Sequence, residues 1–296
     1  MDPQSGTALH KLVLLLLIVT VVFLVTQVLY VPQTFASLVV NSSATDDACP
    51  AEETSRSSPP ATFKQIEGNP GTHGEARVKQ VHDRLDRMLE KVLHMKRGQR
   101  IRDGHTALIP KKTRCIEALS SIPSTKVVYE IGFNAGHSTA SFLGSRPDSM
   151  MLSFDICNDG GGRGHPEYHS HSAAVIRDEF GTSRWSILCG DSKVSLPALA
   201  EYSPKLLRSV DLFSIDGRHD YEYVHADTKN AAVFVKDGGL MLFDDCEWDH
   251  THKGIVEAFK TLENDGVLKA TEVTEELCGL KRVEQQMCVY RVTHLA

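Results

Sequence analysis

No run of basic residues stands out anywhere in the 296-residue sequence, and the formal charge is −6. With a pI near 6.2, little is present to neutralise a phosphate backbone, which argues against a nucleic-acid partner. No CxxC spacing and no dense cysteine framework occur among the seven cysteines, which argues against a zinc site. No internal repeat is visible, and the length suits one sizeable domain with appendages. Charge is missing altogether from Leu12 to Val31, where Thr20, Thr26 and Gln27 are the clearly polar positions. About 20 apolar residues make a helix of roughly 30 Å, the thickness of a bilayer core. A cleaved signal peptide is the rival reading, and the small residues at Phe35-Ala36-Ser37 suit it, but its apolar core is shorter, at about 7–15 residues.

Basic residues are also missing just after that span. Lys11 precedes it, whereas Asp46, Asp47, Glu52 and Glu53 follow before Arg56 appears. This asymmetry predicts a cytoplasmic tail over 1–11, a signal-anchor helix over 12–31 and a lumenal body. The expectation is a single-pass type II protein of the ER or Golgi, with a sequon at Asn41-Ser42-Ser43 on the lumenal side. A lumenal body could join two of Cys49, Cys115, Cys157, Cys189, Cys246, Cys278 and Cys288, with Cys278 and Cys288 the pair to test. The alternative is a set of buried thiols.

Residues 32–74 are rich in Ser, Thr, Pro and Gly and read as a disordered stalk. Residues 75–98 then read as an amphipathic helix with Val78, Val81, Leu85, Met88, Val92 and Met95 on one stripe. That stripe either packs on its own domain or forms a coiled coil that makes a homodimer. Over 99–296 the pattern alternates. Strands are expected at 126–131, 150–155, 185–189, 210–215, 239–243, 266–273 and 287–293, with helices at 137–144, 170–180, 195–202, 220–236 and 253–265. Seven strands taking turns with helices predict an α/β fold, a Rossmann-like and mostly parallel sheet with helices on both faces.

The stretch that organises this domain is KVVYEIGFNAGH, residues 126–137. A buried strand runs into Gly132, Asn134 and Gly136 and then into a helix, which is the arrangement of a dinucleotide-type binding corner. Gly132 and Gly136 let the backbone approach a ligand, and Asn134 tolerates positive φ. Acids stand at five strand ends in succession: Glu130, Asp155, Asp191, Asp216 and the pair Asp244-Asp245. Ligands bind beyond such ends in an open α/β sheet.

From about residue 105 onward the chain resembles the class I S-adenosylmethionine-dependent methyltransferases. EIGFNAG looks like their first motif, with Asn134 where the middle glycine usually stands. The resemblance implies S-adenosylmethionine as donor, held by Glu130, Gly132, Asn134 and Gly136. Asp155 falls where the family binds the ribose hydroxyls, and Asp191-Ser192 where it meets the adenine. IDGRHDYEYVHAD followed by VKDGGLMLFDDC is similar to the catechol-type and sugar-directed O-methyltransferases. There, an acid after strand four and two adjacent residues after strand five hold a divalent metal. The matching positions are Asp216, Asp244 and Asp245, and His219 stands in the slot of the catalytic base.

The chemistry supports that set. Methyl transfer from a sulfonium is an in-line displacement, so the acceptor oxygen must be aligned with the methyl carbon. Three carboxylates suit Mg²⁺ or Mn²⁺. Metal coordination lowers a hydroxyl pKa, and a neutral histidine can take the proton. His165, His169 and His171, in GGGRGHPEYHSHS, read as part of a mobile glycine-rich loop over the site, or as contacts to substrate or metal. Trp248 either lines an acceptor pocket or packs. The expected activity is Mg-assisted methylation of a hydroxyl on a sugar or other small polyhydroxylated acceptor, a small molecule or glycan. The alternatives are a metal-independent methyltransferase acting on nitrogen or carboxylate, and a non-catalytic membrane-tethered binding domain. Crowded carboxylates argue against the last.

Overall fold

The computed structural model describes residues 72–94, 109–157, 166–279 and 286–295. These all belong to one compact unit, residues 65–296. The expected anchor at 12–31, the sequon and the stalk up to residue 71 lie outside the described residues. Among those described, no helix is long and apolar enough to cross a membrane.

Eight helices and seven strands follow one another among the described residues: α1 Thr72–Val92, α2 Pro110–Ser120, β1 Val127–Ile131, α3 His137–Ser145, β2 Met150–Asp155, α4 Pro166–Phe180, β3 Trp185–Cys189, α5 Ser192–Tyr202, β4 Val210–Ile215, α6 Tyr221–Ala232, β5 Val235–Asp244, α7 Asp249–Asn264, β6 Leu268–Glu272, α8 Thr274–Cys278 and β7 Met287–His294. The strands form one sheet in the order β3-β2-β1-β4-β5-β7-β6. Pairing is parallel from β3 through β5, and β7 is antiparallel to both of its neighbours. The central strands β1, β2 and β4 are apolar, largely buried runs, as expected where a parallel sheet is covered on both faces.

β1 is buried at all five positions. Its Tyr129 ring lies 5.7 Å from that of Phe213 on β4 and 6.0 Å from that of Phe154 on β2. These aromatic contacts lock the three central strands in the register that pairs Tyr129 with both Leu152 and Phe213. The strand ends that carry the acids therefore finish level with one another.

α1 begins at Thr72, so helix replaces the last residues assigned to the stalk. Of the expected stripe, Val78, Val81 and Leu85 are buried on this domain, where Val78 packs onto Gly144 of α3, Met88 and Val92 are half-buried, and Met95 lies outside the described residues; Leu89, which the stripe omitted, is buried as well. That face is therefore spent within the chain. The helix expected over 220–236 ends at Ala232, because Val210 N–H donates to the Phe234 carbonyl at 2.9 Å and draws the chain into β5.

Six cysteines are paired, as Cys115–Cys278, Cys157–Cys189 and Cys246–Cys288. The expected Cys278–Cys288 pair is corrected. Cys278 ends α8 and meets α2, whereas Cys288 opens β7 beside the turn after β5, so the sheet sends the two in different directions.

Candidate active site

β1 has β2 on one side and β4 on the other, so the strand order reverses between β1 and β4. A crevice opens beyond the carboxyl ends of strands at such a point. The two loops that border it touch. Asp216 N–H donates to the Ile131 carbonyl at 2.9 Å, and Gly132 N–H donates to the Phe154 carbonyl at 2.8 Å. Gly132 has φ +93°, and a Cβ there would lie 1.8 Å from the Asp216 carbonyl oxygen. Only glycine allows that approach. Asn134 and Gly136 also take positive φ, at 46° and 83°, and Gly136 caps α3.

The residues assigned to the donor divide into two groups. Asp155 ends β2 and reaches across to the glycine corner. Its Oδ2 accepts from the Phe133 and Asn134 backbone N–H groups at 2.9 Å each, and its Oδ1 from Cys157 N–H at 2.7 Å. Burial alone would raise this carboxyl, but His169 and the backbone donors outweigh it and hold the acid below its usual range. Asp191 caps α5, accepting from Lys193 N–H at 2.9 Å, and it also accepts from the Tyr223 hydroxyl at 3.2 Å. Both acids therefore stand at or just past strand ends, each held by its own loop and by a neighbouring element: the glycine corner for Asp155 and α6 for Asp191.

Glu130 and Ser192 face inward instead. The Glu130 carboxylate is fully buried and accepts from Ser138, Thr139 and Ser153 hydroxyls at 2.5, 2.7 and 2.9 Å. Burial raises it to about 7 in spite of those three bonds. It ties β1 to the first turn of α3 and to β2, and so fixes the corner from behind. The Ser192 hydroxyl donates to Asp227 at 2.7 Å, a carboxyl that burial also raises to about 7.

His169 is likewise not part of a loop. It lies on α4, buried, with Nε2 3.4 Å from Asp155 Oδ1 and its ring 5.2 Å from that of Phe133. His171 is exposed on the same helix, and His165 lies outside the described residues. Tyr168 donates to Asn134 Oδ1. The helix thus buttresses the corner, an interaction that its preceding glycine run hid from the sequence.

On the β4 and β5 side the structure gathers Asp216, His219, Asp244 and Asp245. His219 Nε2 lies 3.7 Å from Asp216 Oδ1 and 3.8 Å from Asp245 Oδ2. The Asp216 carboxyl is held well above its usual range, first by burial and then by the negative charge of Asp244. Asp245 sits in the left-handed region at φ 49°, which turns the chain sharply so that adjacent aspartates share one site. Trp248 follows, 44% exposed, its ring 5.6 Å from that of His219 and 5.6 Å from that of His250.

The residue that the sequence did not reveal is Lys112. It lies in the first turn of α2, 5% exposed, with Nζ 2.5 Å from Asp244 Oδ1 and 3.0 Å from Asp245 Oδ1. Burial pushes the ammonium down, but the two carboxylates outweigh it and raise its pKa. The partners are 133 residues apart for Asp245, so no local spacing could signal the pair.

The donor chemistry at this end fits a hard divalent cation: three carboxylates with an imidazole at their rim, two of them facing the Lys112 ammonium. The spacing is not that of a closed ligand set. Among the described residues, the three candidate ligand atoms that lie within 4.8 Å of one another are those of Asp155, Cys157 and His169. Cys157 is already bonded to Cys189, so that group offers no thiolate.

No curated protein matches the chain. The chain is similar to solved O-methyltransferases. The O-methyltransferase TomG from Streptomyces achromogenes, in complex with SAM, is 15% identical over 72% of this chain and 90% of that one, with a TM-score of 0.46. The O-methyltransferase from Bacillus cereus, in complex with SAH, is 16% identical over 74% and 97%, with a TM-score of 0.45. CalS11, a TDP-rhamnose 3′-O-methyltransferase of calicheamicin biosynthesis, is 17% identical over 72% and 93%, with a TM-score of 0.45. A family model described as a methyltransferase domain matches residues 129–246. That match opens on β1 and closes one residue past the paired aspartates, so the segment similar to a methyltransferase domain frames the crevice from corner to acid cluster.

Proposed function

We propose that the enzyme methylates a hydroxyl of a sugar or other small polyhydroxylated acceptor, with assistance from Mg²⁺ or Mn²⁺. The observation that carries this reading is the convergence of Asp216, His219, Asp244 and Asp245 beside the glycine corner. The donor supplies an electrophilic methyl group on a sulfonium, for which Gly132, Asn134, Gly136, Asp155 and Asp191 form the cradle. A cation held by Asp216, Asp244 and Asp245 would lower the pKa of an acceptor hydroxyl. His219 would accept the hydroxyl proton at Nε2, and the half-exposed Trp248 face would orient a ring-shaped acceptor. One observation favours a second reading, metal-independent transfer to nitrogen or carboxylate: Lys112 already offers the acid pair a cation.

A chelator separates the two. Methyl transfer to a panel of polyhydroxylated acceptors should vanish in excess EDTA and return with Mg²⁺, and Asp216→Asn should abolish it. Full activity in EDTA would discard the metal-assisted reading in favour of the second.

We also place the body on the lumenal side of a membrane, anchored by residues 12–31. Three disulfides support this placement, because such bonds persist in oxidising compartments and are rare in the cytosol. Alkylation of unreduced protein in lysed cells should label no more than one thiol per chain, on Cys49. Labelling of all seven cysteines would put the domain in the cytosol, where the methyl donor is made.

A further inference from the structure

The acid cluster contains a cation of its own. Lys112 is nearly buried, and two of its three ammonium protons face Asp244 Oδ1 and Asp245 Oδ1 at 2.5 and 3.0 Å. Asp244 and Asp245 are themselves only 12% and 19% exposed, so water screens the contact little. α2 carries the lysine, and Cys115, one turn further along the same helix, is bonded to Cys278 of α8. The backbone under Lys112 is thus pinned, whereas its four-carbon stem is flexible.

A divalent ion binds carboxylate oxygen at about 2.0–2.1 Å for Mg²⁺. An ion on Asp244 Oδ1 and Asp245 Oδ1 would therefore sit within roughly 4 Å of Nζ as it stands, close enough for strong repulsion. Lysine and metal cannot both hold these two oxygens. The open ligand spacing has the same origin: with the ammonium between them, the aspartates are drawn to Nζ and not to a common centre shared with Asp216.

We propose that Lys112 is a tethered cation that competes with a divalent metal ion for Asp244 and Asp245, so that the metal enters only when the lysine side chain swings out of the site. This rests on the metal-assisted reading above and adds a threshold to it. The resting site is closed by an internal charge, and occupancy then follows the free concentration of the metal. A lysine that merely braced the loop after β5 would affect stability but not the preference for metal.

The test reads Mn²⁺ binding directly. The detergent-solubilised full chain, wild type, Lys112→Ala and Lys112→Met, is titrated with Mn²⁺ while the paramagnetic signal of the unbound ion is followed, and melting temperature is recorded alongside. Both variants should bind Mn²⁺ at least about tenfold more tightly than wild type, since a repelling like charge is removed. Their melting temperatures should also rise more on addition of the ion. Lys112→Met keeps most of the stem volume and carries the comparison where Lys112→Ala melts early. Adding Asp245→Asn to either variant should erase the gain, which excludes adventitious Mn²⁺. Equal affinity in all three proteins would overturn the role of the lysine while leaving the metal reading intact. Absence of Mn²⁺ binding in all three would overturn the metal reading itself, and this inference with it.

Discussion

Gly132→Ala is expected to destabilise the domain by about 2–5 kcal/mol, the sum of two costs of different origin. The first is backbone strain at φ +93°, about 1–2 kcal/mol for a residue with a Cβ. The second is overpacking, typically about 1–3 kcal/mol. Here the added carbon would stand 1.8 Å from the Asp216 carbonyl oxygen and 2.6 Å from its carbon, and backbone cannot swing aside as a side chain can. Gly238 provides the internal comparison. It has φ +73°, yet nothing lies within 4 Å of its virtual Cβ, so Gly238→Ala should cost only the first term. Denaturant unfolding of the two variants measures the difference. If Gly132→Ala were no worse than Gly238→Ala, the close approach of the β1 and β4 loops would not be a real constraint. The same contact has a functional consequence. The donor corner and the acid cluster share this backbone junction, so Gly132→Ala should weaken donor binding and displace Asp216 together.

The apolar runs of the sequence located the central strands, because covered parallel strands such as β1, β2 and β4 are largely apolar and stand apart from the polar turns between them. β5 is the partial exception. Lys236, Asp237 and Gly238 are exposed, so its first residues read as the tail of a helix until the bond to β4 is seen. Acids at strand ends were legible for a related reason, since an isolated carboxylate after an apolar run is conspicuous. Their orientation was not legible. Glu130 turns into the protein to meet three hydroxyls, two on the following helix and one on β2, while Asp155 faces the loop. Nothing in the spacing of the two distinguishes them. Lys112 and the disulfide partners share the same difficulty. Each depends on bringing together segments far apart in the chain, and charge or sulfur in isolation does not name its partner. The residues next to Asp244 and Asp245 in sequence thus give no sign of the lysine that arrives from α2.

His219→Ala should reduce turnover by about 10²–10⁴, the usual contribution of a positioned acid or base. Three features suit the imidazole to that task. Its Nε2 lies 3.7 Å from Asp216 Oδ1 and 3.8 Å from Asp245 Oδ2, at the mouth of the acid cluster where an acceptor hydroxyl would stand. Its backbone carbonyl accepts from the Thr251 hydroxyl at 3.0 Å, which ties the loop after β4 to the first turn of α7. Its side chain is 28% exposed, so an acceptor entering from solvent can reach it. Because the ring lies at the rim of the crevice, folding stability should change by no more than about 0.5 kcal/mol. Metal-induced stabilisation should persist as well, since the carboxylates remain. Trp248→Ala gives a contrasting result: a surface that only orients the acceptor should raise KM and leave kcat within a few-fold. The pH–rate profile completes the argument. A base must be unprotonated to act, so the wild-type rate should show a limb that rises with pH, and that limb should be missing from the residual rate of His219→Ala. Normal turnover with an unchanged profile would remove His219 from the mechanism and leave the acceptor's proton to another group.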